Sequence, residues 1–175
     1  MTEYLSEVIV LSKEPNGDLD SRVSLFTKKF GKIKAKAKSA RRITSKLSAH
    51  LEPGNLIHAR MIEKNGLQVV DALKRSAIPV SPPKLFALDG LLAEFEPDFH
   101  LWRMLEHGPF RWADVLAILG WDPRGAHCAL CERAPVSHFD TRSQTLLCEA
   151  CAPPPHLRGA GGHMIYLGDD EPDIP

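Results

Sequence analysis

Apolar positions change period along the chain. Residues 4–13 (YLSEVIVLSK) are apolar and β-branched and run into the turn residues Pro15-Asn16-Gly17-Asp18, which predicts a strand. Residues 21–28 (SRVSLFTK) predict a second, closed by Phe30-Gly31. Residues 31–38 (GKIKAKAK) alternate strictly, with Lys32, Lys34, Lys36 and Lys38 on one face and Ile33, Ala35 and Ala37 on the other. Period two is a half-buried strand; on a helix it would scatter the lysines and bury nothing. Residues 43–51 predict a short helix with Thr44 or Ser45 as N-cap, ending before Pro53-Gly54. Residues 55–64 and 67–74 then flank Asn65-Gly66, a hairpin signal, because a type I′ turn needs positive φ at both central positions. Three strands, a short helix and two strands suit a five-stranded oligonucleotide/oligosaccharide-binding (OB) barrel; an SH3-like barrel and an open meander are the alternatives.

Beyond the proline-rich Ser76–Pro83 the period becomes helical. Ser81 is placed as an N-cap with Pro82 at the first helical position. Leu85, Leu88, Leu92 and Phe95, widened by Phe86 and Leu91, predict a helix that Pro97 interrupts. A second helix over 98–107 would bury Phe99, Trp102 and Leu105. A third follows Pro109, with Trp112, Val115, Leu116 and Leu119 on one stripe and Gly120 at its end. The three tryptophans read as core. The expected class is α+β: an OB-type barrel domain over 1–76, a linker over 77–82, a small helical domain over 83–151 and a flexible acidic tail over 152–175.

Charge sharpens this division. The chain has 175 residues, 22 basic and 22 acidic, and a net charge of zero. Residues 1–75 nevertheless hold 15 Lys/Arg and 8 Asp/Glu, a net of +7, and the rest holds −7. From Ser21 to Leu51 there are ten basic residues (Arg22, Lys28, Lys29, Lys32, Lys34, Lys36, Lys38, Arg41, Arg42, Lys46) and no acidic one. A solvated edge face is the bland explanation. Thirty residues of one sign point rather to a polyanion site. Few aromatics accompany it (Tyr4, Phe26, Phe30), so backbone neutralisation with weak sequence preference is expected.

The cysteines supply the remaining chemistry. Cys128-Ala-Leu-Cys131 and Cys148-Glu-Ala-Cys151 are two CxxC pairs separated by sixteen residues, a zinc spacing. The intervening segment can fold as a hairpin (136–139 and 144–147) that joins the pairs. Four thiolates fill a tetrahedral shell and leave no position for water, so a structural Zn2+ is expected within 127–151. Disulfides, a redox pair and an iron–sulfur cluster are weaker readings, and His127 and His138 are read as bystanders.

Met1-Thr2-Glu3-Tyr4 has no basic leader, and Val8–Leu11 is far too short for a span, so a cytoplasmic, non-membrane protein is expected. No P-loop, GxSxG or HExxH is present, and neither CxxC pair follows a proline as in zinc deaminases. Nothing proposes an enzyme. The acidic DDEPDIP at the end could compete with nucleic acid for the basic face.

The segment LDSRVSLFTKKFGKIKAKAKSARRITSKLSAHLEPGNLI (19–57) resembles the N-terminal OB domain of RecO-type DNA repair proteins. A helical domain with four cysteines follows in that family, as in 83–151 here. The resemblance implies a non-enzymatic recombination mediator, associated with the nucleoid. Such proteins bind single- and double-stranded DNA, anneal strands, contact RecR and the single-strand-binding protein, and assist RecA loading. It places Lys32, Lys34, Lys36, Lys38, Arg41, Arg42 and Lys46 in the basic OB segment and the four cysteines on zinc. Two departures stand out: family members commonly have Gly where Ser39 and Glu132 stand. Alternatives are an RNA- or ribosome-associated OB/zinc protein and a zinc-stabilised protein scaffold.

Overall fold

The alternating N-terminal segments close on themselves. In the computed structural model, which describes residues 2–42, 45–154 and 163–168, five strands form a closed barrel. They are β1 (Glu3–Asn16), β2 (Asp20–Thr27), β3 (Gly31–Ala37), β4 (Asn55–Glu63) and β5 (Leu67–Ala77), ordered β1-β2-β3-β5-β4. β1 is long enough to serve twice. Its first half pairs with β4 (Glu3↔Ile62 to Ile9↔Leu56) and its second with β2 (Val8↔Thr27 to Asn16↔Asp20). A register shift between Val10 and Ser12 bends it, as a bulge does. β3 and β5 meet in parallel at only two positions, Lys36↔Gln68 and Ala37↔Val69. This is the OB-type architecture.

Alternation decides which side chains enter. Val8, Val10, Val23, Leu25, Ile33, Ala35, Ala37, Ile57, Ala59 and Met61 pack together inside. The helix α1 (Lys46–His50) is shorter than the predicted 43–51; Ser45 is its N-cap, and Thr44 lies outside the described residues. Leu51 behind it joins the barrel core.

The chain divides into two compact units, Met1–Gly108 and Pro109–Pro175, and not at the expected linker over 77–82. The reason is local. β5 runs on to Ala77, Ile78 donates to the Gly54 carbonyl (2.9 Å), and Ile78 and Val80 are buried. α2 (Pro82–Leu91) and α3 (Phe99–His107) therefore belong to the barrel unit. α2 stops four residues before Phe95, because Leu92 turns extended and Glu94 bridges in parallel to Lys32 on β3. α3 begins at Asp98, whose Oδ1 accepts from Leu101 N–H (2.9 Å). It buries Leu101, Trp102 and Leu105, whereas Phe99 is exposed. Trp102 lies 5.9 Å from Phe26 between ring centroids.

In the second unit α4 (Trp112–Ile118) buries Trp112, Val115 and Leu116. A small sheet follows in the order β7-β6-β8: β6 (His138–Asp140), β7 (Thr145–Leu147) and β8 (Met164–Tyr166). The hairpin β6–β7 was expected and β8 was not. Part of the segment read as a flexible tail is thus a strand on β6, with Thr141 N–H to His163 O (2.8 Å) and Leu167 N–H to Ser137 O (2.9 Å) extending the ladder. The acidic 169–175 lies outside the described residues.

Candidate nucleic-acid interface and metal centre

Register places the lysine face. Directly opposed residues share a face, so Arg22, Ser24 and Phe26 of β2 stand with Lys36, Lys34 and Lys32 of β3, and β1 adds Ser12 and Glu14. This is the outside of the barrel, as the alternation predicts. Half of it is roofed. Asp89 of α2 accepts from Ser12 Oγ (2.8 Å) and Ser24 Oγ (2.6 Å) and lies 3.6 Å from Lys32 Nζ. The Lys32 ammonium also donates to the Asp89 carbonyl (2.7 Å), and the residue is 6% exposed. Lys32 is therefore a clasp for α2 and does not present its charge to solvent.

Carboxylates from distant segments answer other lysines. Lys28 pairs with Glu7 (2.6 Å) and sits 5.9 Å over the Trp102 ring; Lys34 pairs with Glu94 (2.9 Å) and Lys36 with Asp20 (2.8 Å). Hydrogen bonding from Lys36 and from the Ser39 amide holds the Asp20 carboxyl below its usual range. The Lys34 contact does the same for Glu94. Arg41 donates to the Gly17 carbonyl (2.8 Å). Arg22, Lys29, Lys38, Arg42 and Lys46 are exposed and make no ion pair among the described residues. Asp89 and Glu94 were missed by sequence reading because they lie 57 and 60 residues downstream of Lys32 and Lys34, in a different charge regime; an acid beside the apolar stripe Leu85–Leu88–Leu92 was the available signal.

The cysteines converge as their spacing predicts. The Sγ atoms of Cys128, Cys131, Cys148 and Cys151 all lie within 4.8 Å of one another. Each CxxC closes as a tight turn: Glu132 N–H donates to Cys128 O (2.9 Å) and Ala152 N–H to Cys148 O (3.0 Å). Ala129 N–H to Leu146 O (2.9 Å) ties the first turn to the hairpin. Four sulfurs at about 2.3 Å from one ion would be about 3.8 Å apart, and Cys131 and Cys148 stand at 3.6 Å. The Cys148 amide draws the Cys128 thiol down to about 6, while hydrogen bonding to Cys131 and Cys148 pushes Cys151 up to about 12. Crowded thiols ionise together only around a cation. The set fits a metal ion held by four thiolates. His138 is fully buried on β6 beside Ser137 Oγ (2.8 Å), outside this cluster.

The chain thus combines a closed OB-type barrel with a four-cysteine cluster that could hold a metal ion. Comparison with known sequences goes further. Residues 1–77 match the recombination protein O N-terminal domain. The chain is 27% identical to the DNA repair protein RecO of Bifidobacterium longum (strain DJO10A) over 86% of this chain and 74% of that one. It is 28% identical to RecO of a Nocardioides species over 94% and 81%, and 31% identical to RecO of Koribacter versatilis over 72% and 62%. Residues 1–77 thus carry the N-terminal domain of the RecO family, and over most of its length the chain is similar to RecO proteins of DNA repair. Among the described residues no helix is long and apolar enough to cross a membrane.

Proposed function

We propose that this chain is a non-enzymatic recombination mediator that binds single- and double-stranded DNA through the barrel and anneals complementary strands. The observation that carries the reading is the set of five exposed cations, Arg22, Lys29, Lys38, Arg42 and Lys46, with no ion pair among the described residues. Lys34, Lys36 and Arg41 supplement them where phosphate displaces a carboxylate or carbonyl. Lys28 and Lys32 serve the barrel unit's own packing. Zinc is the ion proposed for the four cysteines, because an all-thiolate tetrahedral set suits it and leaves no open position. RecR and the single-strand-binding protein are proposed partners and the cytoplasm, beside the nucleoid, the proposed location, all from the similarity to RecO proteins.

About five neutralised phosphates give log K a slope of about −4.5 against log[salt] on duplex DNA. An annealing assay with complementary oligonucleotides tests the function. Arg42→Glu/Lys46→Glu should lose annealing and keep the wild-type melting temperature. Annealing unchanged in that variant, or affinity independent of salt, would remove the proposal. RNA outcompeting DNA of the same sequence would move the function to RNA.

A further inference from the structure

We propose that the barrel's outer edge carries a stacking platform for the unpaired bases of single-stranded DNA, formed by Phe86 and Phe95 on either side of Lys34. The proposal rests on the DNA-binding reading above and adds a base-dependent part to it.

Two neighbouring cavities share Lys34. One, about 400 Å³, places Arg22, Lys34 and Phe86 together with the carboxylates Glu14 and Asp89, the latter already engaged by Ser12, Ser24 and Lys32. The other, about 320 Å³, places Tyr4, Phe30, Leu67 and Phe95 around Lys34, with the Glu63 carboxylate at its rim accepting from Tyr4 Oη. Phe86 is 63% and Phe95 68% exposed, although both were expected on the buried stripe of one helix. One exposed phenyl ring is ordinary. Phe95 is not ordinary, because its backbone stands at φ 63°, a left-handed conformation that bulky residues avoid. The bend is imposed by the barrel: Phe95 N–H donates to the Lys32 carbonyl (2.9 Å), and Glu94 bridges to Lys32. Gly31 lets this segment approach, since a Cβ there would run into the backbone of Glu96. The chain thus spends strain to hold an apolar ring in water, a combination that marks functional surfaces.

The chemistry of the edge selects the ligand. Aromatic, cation, aromatic is the alternation that base, phosphate, base requires, and stacking tolerates any base because each has a π face. Among the described residues Arg22 is without an ion pair, and Lys34 pairs with Glu94 in a half-exposed contact that phosphate can displace. An extended peptide adding to this edge of β3 would need the Lys32 carbonyl, which Phe95 already occupies.

The test uses the full chain and two labelled polymers of equal length, oligo-dT and its abasic sugar–phosphate counterpart, followed by fluorescence anisotropy at several salt concentrations. Stacking of one base corresponds to about 5- to 150-fold in affinity. Oligo-dT should bind at least fivefold tighter than the abasic polymer. Phe86→Ala and Phe95→Ala should each shrink that ratio while leaving abasic affinity and the salt slope unchanged. Phe86→Trp should show emission quenched by oligo-dT and not by the abasic polymer, which keeps the proposal testable if Phe95→Ala misfolds. Equal binding of both polymers with the slope intact overturns the platform and leaves DNA binding standing. Binding of neither overturns both. An acidic peptide that displaces oligo-dT and requires Phe95 assigns the pocket to protein and overturns the platform.

Discussion

Asp89→Ala tests whether Lys32 is a structural clasp or a DNA contact. The substitution removes the acceptor of Ser12 Oγ and Ser24 Oγ and the counter-charge of a lysine whose side chain is only 8% exposed. Removing one partner of a buried ion pair costs about 3–5 kcal/mol. Lys32 keeps the backbone carbonyl of residue 89 at 2.7 Å, which places the expected loss near the low end, about 3 kcal/mol. For a unit of this size that lowers the melting temperature by about 10–20 °C. Trp102, the sole tryptophan of Met1–Gly108, reports the transition by fluorescence in urea. The paired replacement Lys32→Met/Asp89→Leu should recover most of the loss, since an apolar pair needs no desolvated charge. It should also leave the salt slope of DNA binding at its wild-type value. A loss under about 1 kcal/mol for Asp89→Ala, or a double variant as unstable as the sum of its singles, refutes the clasp. A shallower salt slope in the Lys32 variant returns that lysine to the DNA contacts.

Further outcomes are expected. Ser39 and Glu132 stand at φ 53° and 59°. Ser39→Gly and Glu132→Gly should each stabilise by up to about 1 kcal/mol in denaturant melts, the relief of left-handed strain exceeding the added freedom of the unfolded chain. On the proposed reading, Cys148→Ser or chelation should abolish zinc binding and open the second unit to proteolysis while low-salt DNA binding by the barrel persists, because among the described residues only Leu147 and Met164 join the four cysteines in that cluster. The Lys28 hydrogen bond, helped by Arg75, holds the Glu7 carboxyl below 4.5. Its stabilisation is present above about pH 4.5 and disappears as pH falls through the lower folded value. Glu7→Gln should therefore weaken the barrel at pH 7 and melt like wild type near pH 3.

Local signals were legible and remote ones were not. The strict alternation of 31–38, the Asn65-Gly66 turn and the paired CxxC motifs each specify structure within a few residues, and the barrel and the thiol cluster follow from them. The roof over Lys32 depends on Asp89, 57 residues away, and no periodicity announces it. Phe95 fits the stripe of α2 by spacing alone. The free edge of β3 competes for its backbone and wins, so the ring leaves the core. β8 is three residues long in a Pro/Gly-rich stretch, and only pairing with β6 makes it a strand. The ten basic residues of 21–51 are plain in the sequence, but their ion-pair partners are not, since Glu7, Asp20, Asp89 and Glu94 arrive from outside that segment.

Those internal pairs alter what a salt titration counts. On the proposed reading, a phosphate that meets Arg42 sheds a counterion condensed on the DNA, and the slope records it. A phosphate that takes Lys34 from Glu94, or Lys36 from Asp20, frees a carboxylate tethered to the same protein. The cation condensed on that phosphate is still released, but the freed carboxylate takes up part of a cation in return, so the net count is smaller. On the proposed DNA-binding reading, the barrel would touch more phosphates than its slope reports, with Glu94 and Asp20 competing against the strand for Lys34 and Lys36.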